Sequence, residues 1–142
     1  MLKLLVAVDG SDSALRAVRY ALALAKLVGN GSLHLVNVHE PALIYGEIAV
    51  YVPREKMESL QREHSEAVLA SAEALIKGDG VPYTKDIFIG NAAEGLVEQA
   101  SKLGCSGIVM GTRGLSSIGN LVMGSVATKV IHLTDLPVTL VK

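Results

Sequence analysis

Short apolar runs alternate along this chain with longer segments in which apolar residues recur at helical spacing. Five runs have the length of a strand: 2–8, 33–38, 83–89, 106–110 and 137–142. The first and fourth are almost continuously apolar, as is typical of strands that are covered on both faces. We therefore expect five strands, with one amphipathic segment between each strand and the next.

Four segments carry the helical spacing and its boundary signals. The first begins near Ser11 and ends at Gly29, and the second begins near Pro53 and ends near Gly78. The third is preceded by Asn91, which with Glu94 forms a capping pair. The fourth covers 125–133. For the second helix, the pattern predicts an inner face made of Met57, Leu60, His64, Ala67, Val68, Ser71, Leu75 and Ile76.

The strict alternation of strands and helices predicts a single α/β domain over 1–142. Such an order implies a parallel sheet with right-handed crossovers and helices on both faces. Ligands of these sheets bind beyond the carboxyl ends of the strands, near the point where the strand order reverses. The long segment 40–52 has no clear period. It is either a lid over a ligand or a fixed loop packed on the second helix.

A glycine-rich segment between the fourth strand and the last helix is the strongest functional signal. Gly111 and Gly114 are separated by two residues, and nine more precede Gly124 and Ser125. The spacing is neither that of the dinucleotide-binding fingerprint nor that of the P-loop. Glycines at a strand end and a helix start allow backbone N–H groups to approach a phosphate. The alternative is that the glycines only form turns and that Ser125 only caps the helix.

Other candidates lie where the first, second and fourth strands end. Asp9 is a candidate N-cap of the first helix. Arg113 either clamps a phosphate or is a solvated loop residue. His39 is either exposed in a loop or stacks beside a ligand, and no placed partner favours catalysis. Four further strand-end residues offer backbone groups to a nucleobase while their side chains join the core: Ala7, Val8, Val38 and Met110.

Composition excludes several classes of function. Hydrophobic residues make up 50% of the 142 residues and charged residues 19%, with a net charge of −1. This balance is typical of a globular protein and gives no electrostatic signal for nucleic acid or an anionic membrane. Cys105 is the one cysteine, so an intramolecular disulfide is impossible, and we expect an inert buried thiol. No apolar stretch approaches the roughly 20 residues of a membrane span, and we expect a cytoplasmic protein.

At three places the chain resembles the universal stress protein family. The first is Val6-Ala7-Val8-Asp9-Gly10-Ser11, the second is Val36-Asn37-Val38-His39, and the third is Met110-Gly111-Thr112-Arg113-Gly114 together with Gly124-Ser125-Val126. The resemblance covers essentially the whole length. It implies a five-stranded, Rossmann-like parallel sheet with strand order 3-2-1-4-5.

The resemblance also implies a ligand and an assembly. Members with the complete glycine motif bind ATP, so it implies ATP here, with Mg²⁺ or Mn²⁺ as a possible companion. It assigns the adenine edge to Val38 and adds the N–H of Val126 to that of Ser125. By analogy with the family, the alternative to a capping role for Asp9 is a contact with a ribose or a phosphate-bound Mg²⁺. At Ala127 the family often has a hydroxyl residue, whose side-chain contact an alanine cannot make. It further implies a homodimer through the last strand, from Val138 to Lys142, which as an edge strand is open to such pairing.

Three functions follow from these observations. The first is an ATP-binding stress protein that is non-enzymatic or a very slow ATPase, because no Walker lysine and no water-activating residue is placed. The second is a dimeric interaction module without nucleotide. The third is an ATP pyrophosphatase or adenylating enzyme, since the stretch from Asp9 to Ser13 is weakly similar to the Ser-Gly-Gly-x-Asp-Ser loop of such enzymes. That loop's leading Ser-Gly-Gly is missing here.

Overall fold

The computed structural model describes residues 1–40, 53–112 and 123–142. The question of a lid at 40–52 therefore lies outside the described residues, apart from Glu40. The roles expected of Arg113 and Gly114 also lie outside the described residues.

Five parallel strands form one sheet in the order β3-β2-β1-β4-β5, as predicted. The strands are β1 (Lys3–Ala7), β2 (Ser32–His39), β3 (Tyr83–Ile89), β4 (Gly107–Gly111) and β5 (Val138–Val141). The order reverses between β1 and β4, because the chain builds outward from β1 to β3 and then crosses to the other side. This reversal is where an open α/β sheet binds its ligands.

In the described ranges, four helices cover the sheet, two on each face: α1 (Asp12–Val28), α2 (Arg54–Ile76), α3 (Ala92–Lys102) and α4 (Ser125–Leu133). α1 and α2 pack on one face with the side chains of Leu4, Val6 and Val8. α3 and α4 pack on the other face with Leu5 and Val36. The alternation of neighbouring residues between two cores explains why β1 is continuously apolar. Among the described helices, none combines the length and apolar character that crossing a bilayer requires.

The inner face of α2 differs from the predicted one. His64, Ala67 and Ser71 are exposed, whereas the residues that face the sheet are Ser65, Val68, Leu69, Ala72 and Ile76. The prediction failed because Ser65 is polar and conceals the start of the true stripe. Its burial is tolerated because its Oγ lies 2.9 Å from Nδ1 of His39.

His39 is also placed differently from the expectation of a loop residue or a stacking neighbour. It is the last residue of β2, and its ring reaches across to α2. The hydrogen bond to Ser65 ties the end of this strand to the helix that covers it. His39 therefore has a structural contact on the α2 side of the sheet.

Candidate functional site

A cleft of about 350 Å³ opens at the carboxyl edge of the sheet, within the roughly 300–1,000 Å³ typical of small-molecule sites. The ends of β1, β2 and β4 and the N termini of α1, α3 and α4 line it. The cleft brings together all the predicted site residues that the structure describes: Ala7, Val8, Asp9, Val38, Met110, Gly111, Gly124, Ser125 and Val126.

The cleft exists because β1 stops pairing before its neighbours do. On one side its last pair is Ala7 with Val36, and on the other it is Val6 with Val109. β2 continues to His39 and β4 to Gly111. The two flanking strands therefore extend past β1, and their backbones form the walls of a crevice at the reversal of strand order.

The N terminus of α4 reaches this cleft, and no side chain of the described residues caps it. Gly124 occupies the N-cap position, so the expectation of a capping role for Ser125 is wrong; Ser125 is the exposed first residue of the helix. Gly124 has φ −71° and ψ 161°, which any residue type adopts, so the backbone conformation does not require glycine. The first N–H groups of a helix have no acceptor within it and attract anions. α4 therefore offers backbone donors at the cleft wall.

Two hydrogen bonds join the ends of the glycine-rich segment to the sheet. The N–H of Thr112 donates to the carbonyl of Val141 at 2.9 Å, and the N–H of Gly124 donates to the carbonyl of Thr112 at 2.6 Å. The start of α4 is thereby tied to the end of β4. The donors of α4 are consequently held at a fixed position beside the strand ends.

Gly111 is required by packing on the helix α1. A Cβ added there would lie 2.9 Å from the carbonyl carbon of Ser13 and closer still to its Oγ. Real Cβ atoms do not approach backbone so closely, so the end of β4 and the start of α1 touch only because residue 111 has no side chain. This is a packing reason for the glycine that the sequence pattern did not reveal.

Asp9 supports the cap of α1 and is not the cap itself. Its Oδ1 accepts hydrogen bonds from the N–H of Ser11 at 2.9 Å and from its hydroxyl at 2.5 Å. The Oγ of Ser11 accepts from the N–H of Ala14, which makes Ser11 the N-cap. The capping role expected for Asp9 is therefore wrong. In the part of the chain that the structure describes, no group of three or more acidic, His or Cys side chains could hold a metal ion.

The structure adds cleft residues that the sequence did not suggest, among them Ala92 and Leu96 of α3. α3 comes close to the sheet because Gly95 has no side chain: a Cβ there would lie 2.6 Å from the Phe88 ring and 3.3 Å from the Val38 side chain. The N terminus of α3 is capped by Asn91, whose Oδ1 accepts from the N–H of Glu94 at 3.1 Å. The signal that could have found this wall is that α3 follows a strand carboxyl end, as α1 and α4 do.

Two buried titratable groups with shifted pKa values, His34 and Cys105, lie outside the cleft lining. Burial in β2 lowers the pKa of His34, whose Nδ1 lies 2.5 Å from Oγ1 of Thr84. Burial raises the pKa of the Cys105 thiol, in keeping with the expected buried cysteine. Neither group touches the cleft, so neither is a candidate for chemistry on a bound ligand.

Comparison with known families gives a full-length match. A family model described as "Universal stress protein family" matches residues 1–142. A universal stress protein of Thermus aquaticus is 37% identical over 142 residues, which cover 98% of this chain and 97% of the relative. The universal stress protein YxiE of Bacillus subtilis is 31% identical over 146 residues, which cover 99% of this chain and 98% of the relative.

Solved structures agree with the fold. A universal stress protein from Lactobacillus plantarum superposes with a TM-score of 0.84 at 18% identity, covering 99% of this chain and 97% of that one. One from Archaeoglobus fulgidus in complex with dAMP has a TM-score of 0.69 at 26% identity, covering 100% and 98%. A further universal stress protein structure, a complex with cAMP, has a TM-score of 0.71 at 26% identity and covers 99% of this chain and 97% of that one.

Proposed function

The chain belongs to the universal stress protein family, and we propose that it binds ATP in the cleft as a nucleotide-dependent regulatory protein of the stress response. The observation that carries the proposal is the uncapped N terminus of α4 on a cleft of ligand size. An anionic ligand provides the acceptors that this helix end lacks. We take residues 1–142 as the one domain that performs this function.

The arrangement favours a nucleotide over a simple anion. The N–H groups of Ser125 and Val126 would donate hydrogen bonds to phosphates, while the end of β2 at Val38 offers backbone polar groups to a base. The side chains of Val36, Leu96 and Met110 supply an apolar wall for a planar ring. Asp9 lies between these two ends, where it would contact the ribose or a Mg²⁺ or Mn²⁺ ion held by the phosphates.

Two structural neighbours support an adenine nucleotide as the ligand class. Their complexes contain dAMP and cAMP, which share an adenine base and a phosphate. The cleft of this chain offers a place for both groups, at the end of β2 and at the N terminus of α4. The complete glycine spacing from Gly111 to Ser125 is our reason for proposing ATP in particular.

We propose that hydrolysis is absent or very slow. Asp9 is the one ionisable side chain among the described residues that line the cleft, and its Oδ1 is already held by Ser11. Phosphoryl transfer is accelerated by cationic groups and by a residue that orients the attacking water. The described lining offers neither, which favours holding ATP over turning it over.

The proposal is tested by calorimetric titration with ATP and Mg²⁺. The wild type should bind, and Gly124→Val should bind much more weakly, because a branched side chain would cover the donors of α4 without disturbing the extended backbone of residue 124. Ala67→Val, on the exposed side of α2, is the matched control and should bind like the wild type. Undetectable binding at millimolar ATP, or equal binding by Gly124→Val, would overturn the proposal.

Product analysis separates the enzymatic alternatives. Incubation with ATP should leave it largely intact over many hours. Release of AMP and pyrophosphate would favour an ATP pyrophosphatase or adenylating enzyme. A chain that binds no nucleotide and still self-associates would favour the interaction module.

We further propose a cytoplasmic homodimer that pairs through the last strand. β5 is at the edge of the sheet in strand order, and its partner on the inner side is β4. An edge strand presents backbone groups to a second copy. Native mass spectrometry at micromolar concentration should give twice the mass of one chain, and a monomer would overturn this part of the proposal.

A further inference from the structure

We propose that Asn37 is a positioning residue for the nucleobase. Its side chain donates a hydrogen bond to the Val8 carbonyl, so the backbone N–H and carbonyl of Val38 stay available to bind the ligand. The inference rests on the proposed nucleotide function and deepens it. It assigns a role to a buried side chain that does not line the cleft.

The hydrogen-bond ladder between β1 and β2 shows where the Asn37 side chain takes the place of a backbone donor. The N–H of Val8 donates to the carbonyl of Val36 at 2.9 Å, so the polar groups of Val36 point towards β1. Alternate residues of a strand point the same way, so those of Val38 also point towards β1. In a continued parallel ladder, the N–H of Val38 would donate to the carbonyl of Val8.

The side chain of Asn37 takes that place. Its Nδ2 donates to the Val8 carbonyl at 2.7 Å. Among the described residues, no hydrogen bond joins the Val38 backbone to β1, and the ladder ends at the pair of Ala7 and Val36. The carbonyl of Val8 is satisfied, and the two polar groups of Val38 remain available at the cleft, which Val38 lines.

This arrangement costs stability, which argues for a function. Asn37 is only 5% exposed, and its Oδ1 has no hydrogen-bond partner in the described part of the chain. A buried, unpaired amide oxygen is destabilising, whereas an apolar residue of similar size would bury no polar atom. The ladder would then close with a bond from Val38 to Val8, so the asparagine is not needed to satisfy the strand.

The released groups match one edge of adenine. Val38 presents one N–H donor and one carbonyl acceptor on the same side of the strand. Adenine carries the ring acceptor N1 beside the exocyclic N6 donor. Guanine has an exocyclic acceptor beside a ring donor. In the same pose its donor would face the Val38 N–H and its acceptor would face the Val38 carbonyl. Asn37 should therefore influence both the affinity for ATP and the preference for ATP over GTP.

The test compares three probes on the wild type and Asn37→Leu. The probes are ATP, GTP and inorganic tripolyphosphate, which can use only the phosphate end of the cleft. We expect Asn37→Leu to bind ATP about tenfold more weakly, because Val38 now bonds to Val8, and to lose most of its preference over GTP. Its affinity for tripolyphosphate should be unchanged. A parallel loss for ATP and tripolyphosphate, or no change in the ATP to GTP ratio, would overturn the inference.

Amide hydrogen exchange provides a readout that does not depend on nucleotide binding. In the ligand-free wild type, the Val38 amide should exchange rapidly. In ligand-free Asn37→Leu it should be protected, because it has joined the ladder. Equal exchange in the two proteins would contradict the inference even if ATP binds. If the wild type bound no ATP, the proposed function would fail while this measurement still decided the role of Asn37.

Asn37→Asp is the second variant if the leucine protein does not fold. It keeps the shape of the side chain and removes the amide donor. It should show the same loss of preference for ATP over GTP, with tripolyphosphate again as the reference probe. Retention of the wild-type preference would overturn the inference.

Discussion

The N termini of α1 and α4 reach the same cleft from opposite faces of the sheet, but they differ in how their backbone donors are used. At α1, Ser11 accepts from the N–H of Ala14, and Asp9 holds Ser11 in place. At α4, Gly124 provides no side-chain acceptor. The first helix end is satisfied by the chain itself, whereas the second has donors for a partner from outside.

The other two helices show that an uncapped end is not enough for a site. α3 reaches the cleft with a cap from Asn91. α2 begins after Pro53 without a side-chain cap, but it does not line the cleft. Only α4 combines open donors with a place on the cavity wall among the helices described. A helix N terminus in this fold is therefore a candidate phosphate site only when it lacks a side-chain cap and also lies at the crevice formed by the strand ends.

The largest effect is expected from giving α4 a side-chain cap like that of α1. Gly124→Asp places a carboxylate at an N-cap position with suitable extended backbone. ATP affinity should fall by about a hundredfold, since the donors are taken and a negative charge faces the phosphates. The free energy of unfolding should rise by about a few tenths of a kcal/mol, because aspartate is a slightly better N-cap than glycine. Calorimetry and thermal unfolding measure the two opposite changes.

Gly124→Asn separates charge from capping. Asparagine caps about as well as aspartate but carries no charge, so it should stabilise the fold with a smaller loss of ATP affinity. If Gly124→Asp lost stability and affinity together, the variant would have disturbed the fold, and the contrast between α1 and α4 would not explain the binding.

A second substitution tests the contact between β4 and the start of α1. Gly111→Ala should destabilise the protein by about 1–3 kcal/mol, because its Cβ meets the Ser13 backbone and side chain. Ser13→Gly removes the side-chain part of the clash, so the double variant should recover some of the loss. Denaturant unfolding measures each step. Full stability in Gly111→Ala alone would show that this junction is looser than the structure indicates.

The alternation of strands and helices, the two-sided core and the place of the cleft were predictable because they depend on periodicity. The strand order 3-2-1-4-5 was predicted only through the resemblance to the universal stress protein family. Asp9, Val38 and Gly124 could be placed at the cleft for the same reason: each follows a strand or precedes a helix. The inner face of α2 was predicted wrongly because a buried Ser65 bonded to His39 looks polar in the sequence.

Contacts between distant residues account for what the sequence could not supply. The reason for Gly111 is a residue of another helix, Ser13, which only the folded chain brings near. The hydrogen bond from Asn37 in β2 to Val8 after β1 joins residues far apart in the sequence, and neither local pattern predicts it. The ATP assignment came from a resemblance to a family, and it stays a prediction until binding is measured.

A third and smaller effect is expected from removing the cap of α1. Ser11→Ala takes away the acceptor for the Ala14 N–H and the donor to Asp9. The loss of stability should be about 1 kcal/mol, the usual value for an N-cap. ATP affinity should change much less than in Gly124→Asp, because the donors of α1 do not serve the ligand in this comparison. A loss of affinity as large as that of Gly124→Asp would show that both helix ends bind phosphate.

The smallest predicted effect concerns pH and involves His34, near the start of β2. Burial lowers the pKa of His34 below its ordinary value of 6.5, with a smaller opposing contribution from Asp86 and a small one in the same direction from Lys3. The unfolded chain therefore binds a proton more readily than the folded one. Stability is complete above pH 6.5 and falls as the pH drops from there towards the lowered pKa.

This loss should appear between pH 7 and 6 as a fall in the free energy of unfolding, measured by denaturant unfolding. His34→Leu should flatten the pH dependence in this window, whereas His64→Gln, on the exposed side of α2, should leave it as it is. If His34→Leu kept the full pH dependence while Ser11→Ala or Gly124→Asn abolished it, the acid sensitivity would belong to the helix ends. Protonation of a group at the cleft would then contribute to the difference between α1, which Ser11 caps, and α4, which has no such cap.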